Sequence, residues 1–203
     1  MEIRQATVMA PIDTKLPDWD DADARLLDEA SALIAARGTR GLTIAELARE
    51  ARVSRPTIYR RWPGTDEVVR AALLRQTVLI VAQLSTEEST REDLVAEVLR
   101  FSDLFREDLV FARLLEREPE AFTQYSLERI GSSQRVMLHW LEEAIARGQG
   151  GGTVREGAPS DMSVMLLLIV QSAVLSHNAV SSLIGANEWR AELTRAVDGY
   201  LRP

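Results

Sequence analysis

The chain has 203 residues, 46% of them hydrophobic and 27% charged, with no cysteine and a formal net charge of −7. That length suits one larger domain or two small ones, and the composition is ordinary for a soluble globular protein. Without cysteine there is no disulfide framework, thiolate metal site or cysteine nucleophile, which favours the cytoplasm, and the acidic balance taken alone speaks against nucleic acid.

Residues 1–20 carry Pro11 and Pro17, the acids Glu2, Asp13, Asp18 and Asp20, and no continuous apolar stretch. They read as a flexible acidic arm rather than a signal peptide. The first helix is predicted over 21–37, with Leu26, Leu27, Ala30, Leu33 and Ile34 as its apolar stripe and Gly38 and Gly41 bracketing its end. A short helix follows, with Thr43 as its N-cap and Glu46 completing a capping box. Arg52-Val53-Ser54 is a tight turn, Ser54 caps a third helix that opens Arg55-Pro56, and Trp62-Pro63-Gly64 ends it. Two short helices joined by so brief a turn define a helix-turn-helix, whose second helix enters the DNA major groove. Charge is concentrated here. The window 37–61 holds seven arginines against Glu46 and Glu50, a local +5, which leaves −12 for the rest of the chain. A basic module on an acidic body is the footprint of a DNA reader, although a solvated helical face carries the same charge.

The segment 42–48 (Leu-Thr-Ile-Ala-Glu-Leu-Ala) followed by 53–63 (Val-Ser-Arg-Pro-Thr-Ile-Tyr-Arg-Arg-Trp-Pro) resembles the DNA-binding signature of the tetracycline-repressor (TetR) family. The resemblance is specific over 26–69 and architectural beyond. It implies that Thr43 caps the second helix and meets a phosphate. It implies that Arg55, Pro56 and Thr57 reach base edges, where arginine reads guanine and the apolar groups touch thymine methyls. Tyr59, Arg60 and Arg61 would contact the phosphate backbone. Three positions depart from the family pattern. Arg52 stands where glycine is usual, and a left-handed conformation there costs about 1–2 kcal/mol. Thr65 replaces a phosphate-binding lysine, keeping a capping role at the fourth helix. The arm is acidic and adds no minor-groove contact.

The fourth helix is predicted over 65–84 and links reader to body. A fifth covers 91–106, with Leu94, Val98, Phe101 and Phe105 on one stripe. Short helical pieces surround Pro119, and a long helix over 121–147 turns Ile130, Met137 and Leu141 inward. Five glycines and Pro159 make 148–160 a mobile loop by composition. The helix over 161–184 is apolar almost all round along 164–175, too short a run to span a bilayer, so it must be buried on more than one side. With the amphipathic helix over 188–201 it resembles the dimerising bundle of the same family. The dimer interface is expected at Val174, Trp189, Leu193, Val197 and Tyr200. Phe101, Phe105, Met137, Trp140, Met165 and Ile169 are candidates for an apolar ligand pocket, with Gln171 and His177 as polar handles, although each taken singly also suits plain core.

Enzyme chemistry has no foothold. His139 and His177 are the only histidines and lack a metal-ligand spacing, Gly150–Gly152 is not followed by a phosphate-loop lysine, and no nucleophile elbow is present. The reading is an all-α chain: arm 1–20, three-helix helix-turn-helix reader 21–66, and helical ligand-binding and dimerisation domain 67–203. The expected activity is sequence-specific transcriptional regulation by repression, relieved by an apolar or amphipathic effector. The expected partners are a palindromic double-stranded operator, a second copy of the chain and that effector, with no cofactor and no membrane. The alternatives are a DNA-binding dimer without a ligand and a helical interaction module or enzyme.

Overall fold

A computed structural model describes residues 17–85, 90–120, 122–123 and 130–203. Among these residues every regular element is helical. Most of the predicted arm, and the start of the helix predicted from 121, lie outside them.

Helix α1 (Asp21–Arg37) begins where Asp20 accepts hydrogen bonds from the N–H groups of Ala22 and Asp23. Its stripe is buried as Leu26, Leu27, Ala30 and Ile34, with Leu33 half-buried. Gly38, at φ +80°, stops it, and residues 39–41 form one 3₁₀ turn. Helix α2 (Ile44–Glu50) is capped by Thr43. The predicted capping box is only half made, because the Glu46 carboxylate turns to Arg37 and Arg49 instead of the cap. Helix α3 (Arg55–Arg61) is capped by Ser54 and has Pro56 in its first turn, where no N–H partner is needed. Helix α4 (Thr65–Val81) has Gly64 as its N-cap in extended backbone. Thr65 is therefore the first helical residue and not the cap.

The body continues with α5 (Arg91–Glu107), opened by a complete Thr90–Asp93 capping box. Asp108 then accepts from the N–H groups of Val110 and Phe111 to start α6 (Leu109–Arg117). Helix α7 (Ser132–Gly150) is shorter at its start than predicted, and Ile130, expected inward, precedes it and is exposed. Helices α8 (Pro159–Val180) and α9 (Ala186–Leu201) complete the chain.

Helices α7 and α8 make the most extensive pairing in the body. Helix α9 lies against α5 and α8, and α4 packs on α1, α5 and α7. Helix α1 sits on both α4 and α6, so the three-helix module is clamped to the body. One apolar cluster runs without a break from Leu26 to Leu201. The glycine-rich connection is not loose. Val154 is buried, Arg155 N–H donates to the Leu201 carbonyl at 2.9 Å, and Arg155 Nε–H donates to the Tyr200 carbonyl at 2.8 Å. Composition predicted mobility there, but an apolar anchor and an arginine tie the loop to the end of α9.

Candidate nucleic-acid interface and effector cavity

The α2–α3 corner is set by its backbone. Val53 N–H donates to the Ala48 carbonyl and Arg52 N–H to the Arg49 carbonyl. This pair of bonds is a Schellman closure, which needs a left-handed residue between them. Arg52 occupies that position at φ +54°, the one non-glycine residue with positive φ among those described. The conformation expected of the missing glycine is kept, with the strain on an arginine. Ile58, fully buried against the module's core, fixes how α3 rolls. Arg55, Pro56, Tyr59 and Arg60 consequently occupy one outward arc and are all exposed, Tyr59 at 51%. Thr57 lies nearer the module, its Oγ1 2.8 Å from Ser54 Oγ. Thr43 is exposed, with its hydroxyl oxygen already accepting the Glu46 N–H.

Ion pairs divide the basic window in two. Arg37 and Arg49 are neutralised by Glu46 and Glu50. Arg61 falls on the inward half of α3. Its guanidinium lies 2.8 Å from Asp20 Oδ2 and 3.2 Å from Asp23 Oδ2, at the start of α1. The Asp23 N–H first, with the Ala22 N–H and Arg61 adding, holds the Asp20 carboxyl below its usual range. Expected as a phosphate contact, Arg61 is paired here with the start of α1, because helical spacing places it on the side away from the arc of Arg55, Pro56, Tyr59 and Arg60. Arg40, Arg52, Arg55 and Arg60 are exposed and make no ion pair among the described residues. These four give the module its uncompensated charge.

Among the described residues, three polar contacts hold reader to body. Arg75 on α4 takes Asp28 with two bonds of 2.8 and 3.1 Å. Arg113 on α6 donates to the Ala36 carbonyl at 2.9 Å. Thr39 hydrogen-bonds Glu118 just past α6, directly over Gly38. A Cβ on Gly38 would collide with the Glu118 carboxylate, so glycine is required here by φ and by proximity together.

Inside the body, residues of α4 to α8 line a cavity that opens to the surface and holds about 80 Å³ of space reachable by the centre of a water molecule. Phe101, Phe105, Phe111 and Phe122 form one wall, with Phe105 stacked on Phe111 at 4.1 Å between ring centres. Met137, Leu141, Leu167 and Val170 form another. Gln134 and Gln171, joined by a 2.7 Å amide–amide bond, stand at its polar end beside Ser133. Of the predicted pocket residues, Phe101, Phe105, Met137 and Gln171 line this space. The other four do not. Trp140 is buried core outside the lining, Met165 is 48% exposed, and Ile169 packs half-buried beside the core. His177 instead accepts a 2.6 Å hydrogen bond from Arg106 and meets the Trp189 ring edge-on. Phe111, Phe122 and Gln134 escaped sequence reasoning: Phe122 and Gln134 enter from a connection and a first helical turn, whereas Phe111 belongs to the Val110–Phe111–Leu114 stripe of a short helix, a signal that could have found it.

The residues expected at the dimer interface are largely buried within the protomer. Val174 is buried and lines the cavity. Trp189, Leu193 and Val197 are at most 8% exposed, packed into their own protomer's core, and Tyr200 is half-buried under the Arg155 guanidinium. An amphipathic final helix looks the same whether its apolar face meets its own chain or a partner. The outward apolar surface lies on α8: Met165, Leu168, Ser172 and Ser176 are exposed at helical spacing, and Leu183 follows at 83% exposure. Helix α8 is long and apolar enough to cross a membrane by length and composition alone, yet only 28% of its most apolar stretch is buried in the protomer. No cluster of metal-ligating side chains occurs among the described residues.

The sequence profile of "Bacterial regulatory proteins, tetR family" matches residues 26–72, which covers α1 to the first half of α4. The chain is 33% identical to an uncharacterized HTH-type transcriptional regulator of Mycobacterium bovis, over 91% of this chain and 96% of that one. Its fold resembles that of SmeT, the repressor of the Stenotrophomonas maltophilia multidrug efflux pump SmeDEF. The TM-score is 0.64 at 18% identity, covering 94% of this chain and 92% of the other. It also resembles the transcriptional repressor QsdR of R. erythropolis, with a TM-score of 0.61 at 20% identity over 89% and 95%.

Proposed function

The chain belongs to the tetR family of bacterial regulatory proteins and is a helix-turn-helix transcriptional regulator, and on that footing we propose that it is a cytoplasmic, dimeric repressor released from its operator by a ligand bound in the α4–α8 cavity. The observation that carries the DNA-binding half is the outward arc of α3. Its two arginines are exposed and uncompensated on a helix whose roll is fixed by a buried isoleucine. Arg55, in the first turn, reaches base edges with Pro56 and Thr57, and a guanidinium takes guanine O6 and N7 together. Tyr59 and Arg60, with Thr43 and Thr65 at the starts of α2 and α4, meet phosphates and set register.

Two copies pair through α8. Its exposed face carries the apolar side chains of Met165 and Leu168, and Ser172 and Ser176 are small enough to let helices approach. The Met162, Leu166, Leu167 and Val170 face is already committed to the protomer's core, which fits pairing between protomers better than a helix surrounded by lipid. The cavity is the effector site because it combines apolar walls with a few grouped polar atoms, the usual make-up of small-molecule sites. Anisotropy titration of labelled DNA from upstream of the protein's own gene, against scrambled competitor, tests the reading. Tight, specific binding with steep salt dependence is expected, and equal affinity for the competitor would refute it.

A further inference from the structure

The turn between α2 and α3 holds a side chain that the fold does not use. Arg52 sits at φ +54°, where a Cβ crowds the following carbonyl and where glycine is unstrained. The turn is closed by backbone bonds alone. Val53 N–H donates to the Ala48 carbonyl at 2.9 Å and Arg52 N–H to the Arg49 carbonyl at 3.2 Å, and neither bond needs a side chain at 52. Val53 packs beside the module's core and Ser54 caps α3, so of the three turn residues only Arg52 has no structural task for its side chain. Its guanidinium is exposed and has no ion pair or hydrogen bond among the described residues. The two acids of the basic window do not answer it. Glu46 is taken by Arg37 and Arg49, and Glu50 by Arg49 at 2.8 Å. Strain on a residue whose side chain adds nothing to the folded chain points to a use outside it.

Resting on the reading of α3 as the recognition helix, we infer that Arg52 is a contact to the DNA phosphate backbone that anchors the entry of α3. Arg52 lies three residues before Arg55, and chain length alone keeps their Cα atoms within about 11 Å. With the first turn of α3 in the major groove, Arg55 stands between phosphate walls about 12 Å apart. A long side chain that starts just outside the helix has a wall within its span, while the groove floor is occupied by Arg55, Pro56 and Thr57. The contact is one of charge. A guanidinium on a phosphate displaces a counterion and reads no base, so it strengthens all duplexes alike. Position 52 then moves stability and DNA affinity in opposite directions. A glycine there relaxes the turn and loses the anchor.

The test is anisotropy titration of the full-length protein against labelled duplex from upstream of its own gene and against scrambled duplex, at several salt concentrations. Arg52→Gly removes the charge and the strain. Arg52→Asn removes the charge and keeps a side chain that tolerates the left-handed region. Arg52→Lys keeps the charge. The glycine and asparagine variants are expected to bind both duplexes about tenfold or more weakly, with the salt slope lowered by about one for each bound protomer. The lysine variant should stay near the wild type. Arg100→Ala removes an exposed cation from α5, outside the module, and should leave the slope unchanged. Urea midpoints of the glycine variant at or above the wild type show that its loss is not unfolding. If the wild type prefers its operator and the glycine and asparagine variants keep its affinity and slope, the Arg52 contact is overturned while the recognition-helix reading stands. Weakening by glycine but not by asparagine also overturns it, since the backbone and not the charge is then responsible. A loss confined to the operator duplex overturns it in favour of base reading. If the wild type has no preference between the duplexes, the recognition-helix reading falls and this inference falls with it.

Discussion

At the scale of single residues, the recognition helix separates arginines that look alike in the sequence. Arg55→Ala is expected to relax base preference at one position of each half-site, costing about 1–3 kcal/mol there, whereas Arg60→Ala weakens every sequence alike and lowers the salt slope by about one. Competition assays against single-base operator variants at several salt concentrations distinguish the two. Arg61→Ala should behave as neither, since its partners are Asp20 and Asp23. It loosens α3 on α1, and its effect on binding follows its effect on stability. Arg52 gives the opposite sign. Held at φ +54° with an exposed side chain, it carries a conformational penalty that glycine lacks. Arg52→Gly should raise stability by about 1 kcal/mol, less than the full left-handed penalty because glycine also gains freedom when unfolded. Urea denaturation measures it. The glycine position was legible in the sequence from the motif, and so was the cost of departing from it. The fate of Arg61 was not, because it depends on which side of a seven-residue helix meets α1.

At the scale of elements, α9 turns its apolar face into its own protomer's core, while α8 keeps exposed apolar side chains at Met165 and Leu168. Leu193, 5% exposed, belongs to the protomer's core, so Leu193→Ala should cost about 2–5 kcal/mol of stability. Leu168→Arg, on the outward seam, should keep the helical circular dichroism and yield monomers by light scattering. If Leu168→Arg remains dimeric while Leu193→Arg gives folded monomers, the interface lies on α9. Helix starts were legible in the sequence from the caps Thr43 and Ser54. The start of α7, where Gly131 stands in place of a side-chain cap, was not. The pairing of faces was not legible, because apolar stripes say that a surface is covered and not by what.

The α5–α8–α9 junction also sets a pH response. Burial first, and Arg106 second, hold His177 below its usual value of 6.5. Arg106 is always a donor, so Nε2 accepts and the proton sits on Nδ1, which is shielded without a partner in the described structure. The folded state thus favours neutral histidine. Its contribution is fully present above the unfolded pKa of about 6.5 and is lost as pH falls below it, where the unfolded chain binds the proton first. His177→Gln should flatten the decline in stability between pH 7.5 and 5.5, read from urea midpoints.

At the scale of the whole molecule, the cavity and the DNA-reading module share a route. Phe122 lines the cavity and also borders the junction cleft that holds Thr39, Arg40 and Glu118. Movement of that ring bears on the contact between Glu118 and Thr39, and through it on the placement of α1. Glu118→Ala should therefore leave operator affinity of the free protein nearly unchanged and shrink the loss of affinity caused by a cavity ligand. That loss is about 5–150-fold for typical allosteric coupling. An undiminished response would place the coupling elsewhere, on α4 and its Arg75–Asp28 bridge. This circuit was invisible in the sequence. Glu118 and Thr39 are 79 positions apart, and their contact exists only once α6 has docked on the end of α1.

The central claim, a paired reader of a specific operator, is tested most directly by one titration. Full-length protein is added to labelled duplex from its own upstream region, with complex mass followed by light scattering and binding by anisotropy, at two salt concentrations. Saturation with protomers in pairs, preference over scrambled duplex by about 10³ or more, and a steep fall in affinity as salt rises are expected. Binding of single protomers with equal affinity for the scrambled duplex would contradict that claim.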